Sequence, residues 1–239
     1  MKAADAKRLL LDESVRLIEE QGLAGLSFRE MARRAGLSHQ APYHYFKNRE
    51  GILAALALEG FSRLDERLVA AQKKPHDNPQ TALRDLMRAY MHFALDNPVH
   101  YRIMFRPELV ELRRFPEAQA MARLTFQRLL DRVAACGSNA SVTDQRIVEL
   151  ANGLWSGAHG VVTLWLDGPL KANTPGQSIA SLVDATTELF SAAGAEAARS
   201  LKKSAKDSRS PGSSRRARHS APASGNRRLA SSDDRDAPR

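Results

Sequence analysis

Apolar side chains recur along residues 3–198 at intervals of three and four positions, the spacing of one face of an α-helix. In the first such segment, about Ala3 to Gln21, one face carries Leu10, Leu17 and Ile18. No stretch alternates apolar and polar residues with the period of two that a half-buried strand requires. The pattern therefore predicts an all-α protein.

Caps, glycines and prolines indicate where the predicted helices begin and end. Asn78-Pro79 and Asn97-Pro98 each place a favourable N-cap before a proline at the first helical position. Asp144 or Ser141 is expected to open a later helix, and Thr174-Pro175 the last one. Two short helices are predicted within residues 27–45. The helices predicted after them span about residues 49–74, 79–96, 98–104, 144–166 and 176–198, and one more ends near residue 136.

The segment from Ser27 to Tyr45 has the features of two short helices joined by a tight turn. Ser27 is a favourable N-cap, and a glutamate three residues later completes a capping-box pattern. Gly36 tolerates the positive φ of a helix end, and Ser38 is expected to cap a second helix over His39–Tyr45. This arrangement is typical of a helix-turn-helix, whose second helix enters the major groove of DNA. The leading hypothesis is therefore DNA binding.

Charge is distributed unevenly along the chain. The sequence contains 36 Lys/Arg and 27 Asp/Glu, a net charge of +9. Residues 200–239 hold 11 of the basic and 4 of the acidic residues, which leaves 25 and 23 in residues 1–199. Within residues 27–49, five basic residues face one acid, a local charge of +4. That local excess has the sign that a phosphate-contacting surface needs.

Composition divides the chain into three predicted parts. Residues 1–48 form a helix-turn-helix DNA-binding domain, and residues 49–198 form a helical regulatory and dimerisation domain. Residues 199–239 are rich in Ser, Pro, Gly and Arg and lack aromatic side chains. Such a segment buries too little apolar surface to offset its ordering entropy, so a disordered basic tail is predicted. The tail could be a passive extension or a nonspecific enhancer of DNA affinity.

Other classes of protein are disfavoured by composition. A single cysteine, Cys136, allows no intramolecular disulfide and is interpreted as a small buried apolar residue. No apolar run reaches about 18 residues, and the N-terminus is interpreted as an amphipathic helix rather than a signal peptide. His92, His100 and His159 lack carboxylate or cysteine partners at ligand spacing. We therefore expect a cytoplasmic protein with no membrane contact, metal or cofactor.

The block from Gly25 to Leu53 resembles the DNA-binding domain of the TetR family of one-component bacterial regulators. The matching residues are Ala35-Gly36-Leu37-Ser38, Tyr43, Phe46 and the pair Arg49-Glu50. In that family three N-terminal helices bind operator DNA, and a variable C-terminal helical domain binds a small ligand and forms the homodimer. The resemblance thus implies three partners, namely double-stranded operator DNA, a small-molecule effector and a second copy of the chain.

The motif and the resemblance together define the predicted DNA-contacting residues. The resemblance implies phosphate contact at Tyr43 and Arg49, with Lys47 beside them. It implies base reading at Arg29, His39, Gln40 and Ala41. Arg29 and Gln40 suit base reading because their side chains can hydrogen-bond base edges, although both could be solvated surface residues. The family usually has histidine where this chain has Tyr45. The full predicted set is Ser27, Arg29, Ser38, His39, Gln40, Ala41, Tyr43, His44, Tyr45, Lys47 and Arg49.

A second resemblance, spread over about 90 residues, is to the WHG type of regulatory domain within that family. It is carried by Tyr90 with Phe93-Ala94-Leu95, Asn97-Pro98, Tyr101–Phe105, and Trp155 with His159-Gly160. Aromatic and methionine residues at helical spacing could form ordinary core or line a largely apolar ligand cavity. The predicted ligand contacts are Tyr90, Phe93, Tyr101, Met104, Phe105, Met121, Trp155 and His159.

The favoured hypothesis is a ligand-responsive transcriptional regulator, most simply a repressor, that binds a pseudo-palindromic operator as a homodimer. The helices over about 144–166 and 175–198 are expected to form the dimer interface, with Leu182, Val183 and Leu189 in it. A helical enzyme or carrier for an apolar molecule is one alternative, although no nucleophile triad, phosphate loop or carboxylate pair supports it. An architectural DNA-binding protein is the other, favoured by the basic tail and disfavoured by the helical domain.

Overall fold

The computed structural model describes residues 3–137, 141, 143–173 and 175–207. Within this part of the chain every regular element is helical, which confirms the predicted all-α class. Two 3₁₀ turns, Leu23–Gly25 and Leu112–Arg114, lie between α-helices. The α-helices are α1 (Ala3–Gln21), α2 (Phe28–Arg34), α3 (Ala41–Tyr45), α4 (Arg49–Gln72), α5 (Pro79–Asp96), α6 (Pro98–Met104), α7 (Pro116–Cys136), α8 (Gln145–Leu166), α9 (Pro169–Asn173) and α10 (Ile179–Asp207).

The turn after α2 has the geometry that its sequence predicts. The Ser27 hydroxyl accepts a hydrogen bond from the Glu30 N–H at 3.2 Å and so caps the N-terminus of α2. Gly36 has a φ of 66°, and the Leu37 N–H donates to the Ala32 carbonyl at 2.9 Å. This 6→1 bond over a left-handed residue is a Schellman ending, which turns the chain sharply toward α3.

The second motif helix is shorter than predicted. It begins at Ala41, whose N–H donates to the Ser38 carbonyl at 2.9 Å in a turn, and its N-cap is Gln40 without a side-chain bond. The predicted start at His39 with Ser38 as cap is therefore wrong. Pro42 lies in the first turn, where its missing N–H has no intrahelical partner to lose. The three residues before α3 form a turn at the same exposed surface.

Two other boundaries differ from the prediction. The Asn97 side chain does not cap α6; its Nδ2 donates back to the Phe93 carbonyl at 2.9 Å. The last helix begins at Ile179, with the Ser178 hydroxyl accepting from the Ser181 N–H at 3.1 Å. It continues to Asp207, past the expected end at residue 198. The predicted cap Thr174 and the predicted tail beyond Asp207 lie outside the described residues.

The long helix α4 joins the N-terminal helices to the rest of the molecule. Near its start, Ile52 and Leu56 are fully buried and belong to the core that also contains Leu10, Leu17 and Met31. Its later turns pack against α5, α6 and α7, and α10 packs against α5, α7 and α8. One helix therefore carries apolar side chains into both halves of the fold.

A charged cluster lies where α1, α4 and α6 meet. Glu59 on α4 pairs with Arg63 one turn later and lies 3.5 Å from the Arg8 guanidinium of α1. The His100 ring of α6 places Nε2 at 3.8 Å from the Glu59 carboxylate. His100 and these arginines lower the pKa of Glu59 to about 2, so the group is a carboxylate at neutral pH. Electrostatic contacts thus tie the N-terminal helices to α6.

Candidate DNA-binding surface and ligand cavity

The turn before α3 and the exposed face of α2 form one concave surface. Arg29, His39, Gln40 and Tyr43 line its centre. Ser27 lines an adjoining depression, which shares Arg29 and His39 with the first. All five side chains are exposed. The structure therefore brings together, on one surface, five of the residues predicted to contact DNA.

The aromatic residues of the motif divide into core and surface. Phe46 is 3% exposed and belongs to the core. Tyr43 is 59% exposed, and its ring packs on Phe28 with 4.7 Å between the ring centroids. This packing fixes the ring while the side chain stays accessible to a phosphate oxygen. Ala41 and Tyr45 are half-buried, so they offer less surface to DNA than the neighbouring His44, which is exposed.

Ion pairing neutralises part of the local positive charge. The Glu30 carboxylate accepts hydrogen bonds from Arg33 at 2.8 and 2.7 Å and from Arg34 at 2.9 Å. These bonds lower the pKa of Glu30 to about 2. The carboxylate is thus occupied by arginines rather than by the backbone N–H that a full capping box would supply. Arg29 and Lys47 have no ion-pair partner in the described part of the chain and remain for phosphate or base contacts.

Arg49 makes a bond that sequence reasoning did not anticipate. Its guanidinium donates to the carbonyl of Leu23, in the 3₁₀ turn after α1. The start of α4 is also fixed by the Asn48 side chain, which accepts from the Gly51 N–H at 2.9 Å. Arg49 is still exposed, so its cationic group lies at the surface while it holds the turn. Compared with Arg49, Lys47 is the less constrained cation at the edge of the DNA-binding surface.

An apolar cavity of about 310 Å³ lies within the larger helical half of the molecule. Side chains of α4, α5, α7 and α8 and of the end of α6 form its walls. Four of the predicted ligand contacts line it, namely Tyr90, Met104, Phe105 and Trp155. Its volume lies at the lower end of the range for small-molecule sites, and its lining is apolar as such sites usually are.

The other four predicted ligand contacts lie elsewhere. Phe93 is fully buried in the core and does not line the cavity. Met121 is half-buried against the core, also away from the cavity wall. Tyr101 and His159 line a separate space of about 100 Å³. The sequence indicated the contributions of α5, α8 and the end of α6 to the wall but could not separate wall residues from core residues on the same face.

Sequence reasoning missed the walls that α4 and α7 contribute. On α7 the missed residues follow a helical spacing of three and four positions, which was a detectable signal. The missed apolar residues of these two helices are Phe61, Leu64, Leu68, Ala122, Phe126 and Leu129. The 3₁₀ residue Leu112 also reaches the cavity, and no periodicity marks it because it lies outside any α-helix.

A hydrogen-bonded aromatic network separates the two spaces. The Trp155 Nε1–H donates to the Tyr90 hydroxyl at 3.1 Å, and that hydroxyl lies 2.9 Å from Nδ1 of His159. The Tyr101 hydroxyl is 2.8 Å from the same nitrogen and 3.1 Å from the Thr163 hydroxyl. Burial raises the pKa of both tyrosines and lowers that of His159. All three groups are therefore neutral at pH 7, and both tyrosine hydroxyls lie within hydrogen-bond distance of the same imidazole nitrogen.

Two features are absent from the described residues. No described helix combines the length and the apolarity needed to cross a membrane. Nor do three or more His, Cys, Asp or Glu side chains within that part of the chain converge on a possible metal site. Cys136 is buried, and burial raises the pKa of its thiol, which fits its interpretation as a small apolar core residue.

Comparison with known proteins gives two family matches and several relatives. Residues 10–56 match the family described as bacterial regulatory proteins, tetR family, and residues 83–190 match the tetracyclin repressor-like C-terminal domain. The regulator BetI of Stenotrophomonas maltophilia is 25% identical over 156 residues, which cover 61% of this chain and 77% of BetI. BetI of Cronobacter sakazakii is 28% identical over 162 residues, covering 62% and 77%.

Solved structures share the fold over most of the described chain. A protein of unknown function from Rhodococcus sp. RHA1 superposes with a TM-score of 0.65 at 26% identity, covering 79% of this chain and 94% of that one. The regulator FadR of Bacillus subtilis, in complex with stearoyl-CoA, gives a TM-score of 0.60 at 17% identity, covering 77% and 96%.

The exposed helix-turn-helix surface and these relatives define a DNA-binding transcriptional regulator rather than an enzyme. The chain belongs to the TetR family, with the DNA-binding motif in its N-terminal match and Tyr90 to Gly160 inside its C-terminal match.

Proposed function

We propose that the protein is a ligand-responsive repressor that binds a pseudo-palindromic operator as a homodimer in the cytoplasm. The observation that carries this proposal is the apolar cavity, because its wall includes α4, the helix that begins beside the DNA-binding surface. The turn before α3 would meet base edges in the major groove, with one copy on each half-site. A ligand that binds the two conformations of the dimer differently would shift their populations and release DNA.

Two direct connections run from the cavity to the DNA-binding surface. Phe61, Leu64 and Leu68 line the cavity from the same helix that begins at Arg49. Leu112 also lines the cavity, and two residues later the Arg114 guanidinium lies 2.7 Å from the Glu50 carboxylate. A ligand that displaces either wall would therefore move the start of α4. FadR of Bacillus subtilis, which has this fold, was solved with stearoyl-CoA, and that supports a small-molecule effector here.

The proposed dimer surface lies on α8 and α10. Leu164 on α8 and Leu189 on α10 are 48% and 64% exposed, although both are large apolar residues. Gly153 and Gly160 on α8 face open space, so a second helix could approach closely there. Val183 does not belong to this surface, contrary to expectation, because it is fully buried in the core of its own subunit. An exposed apolar surface of this kind usually marks an interaction site.

Mapping the sites that the full chain occupies on genomic DNA, followed by binding to the recovered sequence, tests the proposal. A regulator of this kind should prefer one recurring sequence with two-fold symmetry and should occupy it with two chains. Equal affinity for the recovered sequence and for scrambled DNA at moderate salt would contradict the proposed operator binding.

Gln40→Ala is expected to weaken operator binding by roughly 1–3 kcal/mol and to leave binding to random DNA almost unchanged. The reason is that Gln40 is exposed at the centre of the concave surface and can bond a base edge. Fluorescence anisotropy with operator and scrambled duplexes measures both affinities.

Lys47→Ala is the matched control for that substitution. Lys47 is also exposed on the motif, but it lies outside the centre of the concave surface that Gln40 lines, so we expect it to contact phosphate rather than a base. Its loss should weaken both duplexes alike and reduce the salt dependence by about one phosphate contact. Equal losses on both duplexes for Gln40→Ala would remove Gln40 from the base-reading residues.

A further inference from the structure

The smaller space beside the apolar cavity has a different chemical character. It measures about 100 Å³, and its walls include Arg102, Arg106, His159, Thr163 and Asp167. The apolar cavity, in contrast, has four polar side chains in its wall and no charged one. Tyr90 and Trp155 bond each other at 3.1 Å, and Thr125 and Asn152 each donate to a backbone carbonyl of their own helix. Of the two spaces, only the smaller one has charged wall residues, so it is the one that suits a charged group of a ligand.

The two spaces are close neighbours. The Phe105 ring belongs to the walls of both. The Tyr90 hydroxyl, from the apolar cavity, lies 2.9 Å from His159 in the wall of the smaller one. Phe105 follows the last residue of α6, where the chain leaves the helix. Its ring also packs against those of Tyr101 and Trp155, so a ligand that occupied both spaces would have to displace the Phe105 ring.

The smaller space has one positive charge in excess. Arg102 is neutralised, since its guanidinium lies 3.0 Å from Asp167 and 3.2 Å from the Leu166 carbonyl. Burial lowers the pKa of His159, so the imidazole is neutral at pH 7. Arg106 is exposed, and its guanidinium has no ion-pair or hydrogen-bond partner in the described part of the chain. Its guanidinium can form a bidentate pair with a carboxylate.

We propose that the two spaces together bind an amphipathic anion, with an apolar body in the larger cavity and a carboxylate at Arg106. At roughly 30 Å³ for each water-sized group, the 310 Å³ cavity takes an apolar body of about ten non-hydrogen atoms. A carboxylate requires a cation when it leaves bulk water, and Arg106 supplies it. This inference rests on the proposed ligand response, and it specifies the chemistry of the effector.

The test uses the full chain with Trp165→Phe, which leaves Trp155 in the cavity wall as the single tryptophan. The probes are decanoate, kept below its micelle concentration, and 1-decanol, kept below its solubility limit, both at pH 7. The readout is Trp155 fluorescence. We expect both probes to change the emission of Trp155. Decanoate should bind about tenfold more tightly than 1-decanol, because its carboxylate gains a charge-assisted hydrogen bond.

Arg106→Gln should weaken decanoate about tenfold and leave 1-decanol unchanged. Arg113→Gln is the matched control, because Arg113 is an exposed arginine nearby that pairs with Glu111 at 3.0 Å and lines neither space. It should bind both probes as the parent does. The thermal midpoints of both variants check that the fold is intact.

Three outcomes would overturn the proposal. These are equal affinities for the acid and the alcohol, a decanoate preference that survives Arg106→Gln, or no response of Trp155 to either probe. The operator-binding experiments use no ligand, so they test the regulatory function separately. Binding of both probes with equal affinity would keep the apolar cavity as a ligand site and remove only the anion site.

Discussion

Leu189→Glu is expected to convert the protein from a dimer into monomers and to remove most of its operator affinity. Leu189 is 64% exposed on α10 within one subunit, so the substitution leaves the subunit's own core intact. In a two-fold dimer the same surface meets its copy, and each interface would then bury two carboxylates. An unpaired charge in such a contact costs several kcal/mol. Sedimentation equilibrium and anisotropy on operator DNA measure the two effects.

The matched control is Leu124→Glu. Leu124 is 42% exposed but lies on α7, away from the proposed interface. This variant should remain dimeric and keep its operator affinity. The subunit fold of Leu189→Glu should also persist, which circular dichroism checks. A Leu189→Glu protein that sediments as a dimer would place the interface on another face. Leu182 is a poorer test, because it is half-buried in its own subunit.

The parts of the fold that depend on near neighbours in sequence were predictable. Asn78 caps α5 by accepting from the Thr81 N–H at 3.0 Å, as its position before Pro79 indicates. The cap at Ser27 and the glycine ending at Gly36 form for the same reason, since each satisfies backbone groups within a few residues. These local signals were sufficient to place the helix-turn-helix.

Competing hydrogen bonds explain why the Asn-Pro pattern predicts the N-cap correctly at Asn78 but not at Asn97. This residue directly follows α5, so its Nδ2 can reach the orphan carbonyl of Phe93 in the last turn of that helix. Its side-chain oxygen accepts from Arg63 of α4 at 3.3 Å. The local sequence predicts that α5 ends before Asn97, but it does not show which way the side chain bonds or that Arg63 of α4 lies beside it. The side chain therefore bonds backward instead of forward.

The composition of the cavity wall depends on how the helices pack, which the sequence of one helix does not contain. Tyr90 and Phe93 both lie on the buried face of α5, but Tyr90 borders the cavity and Phe93 does not. On α10, Val183 turns into the core while Leu189 faces outward. The helical period shows which residues share the apolar face of a helix. Which of those residues lie in the core, at the cavity or at the surface depends on the neighbouring helices.

Phe93→Ala is expected to destabilise the protein by about 3–5 kcal/mol and to leave ligand binding in the folded fraction unchanged. Phe93 is fully buried outside the cavity, so its removal leaves an empty space surrounded by close-packed atoms. Those atoms lose their dispersion contacts on one side and cannot regain them without moving helices. Urea denaturation measures the free energy of unfolding, and Trp155 fluorescence measures the affinity for 1-decanol.

Phe126→Ala is the matched comparison for Phe93→Ala, because Phe126 lines the cavity and Phe93 does not. Phe126 is half-buried and lines the cavity, with its ring centroid 6.1 Å from that of Trp155. One side of the ring already faces open space, so fewer contacts are lost, and we expect a cost of about 1–2 kcal/mol. The same change enlarges the cavity and should alter 1-decanol affinity. Equal losses of stability for the two variants would mean that the space beside Phe126 is filled by protein in solution. In that case Phe126 would be a core residue, and the cavity would not be a ligand site in the free protein.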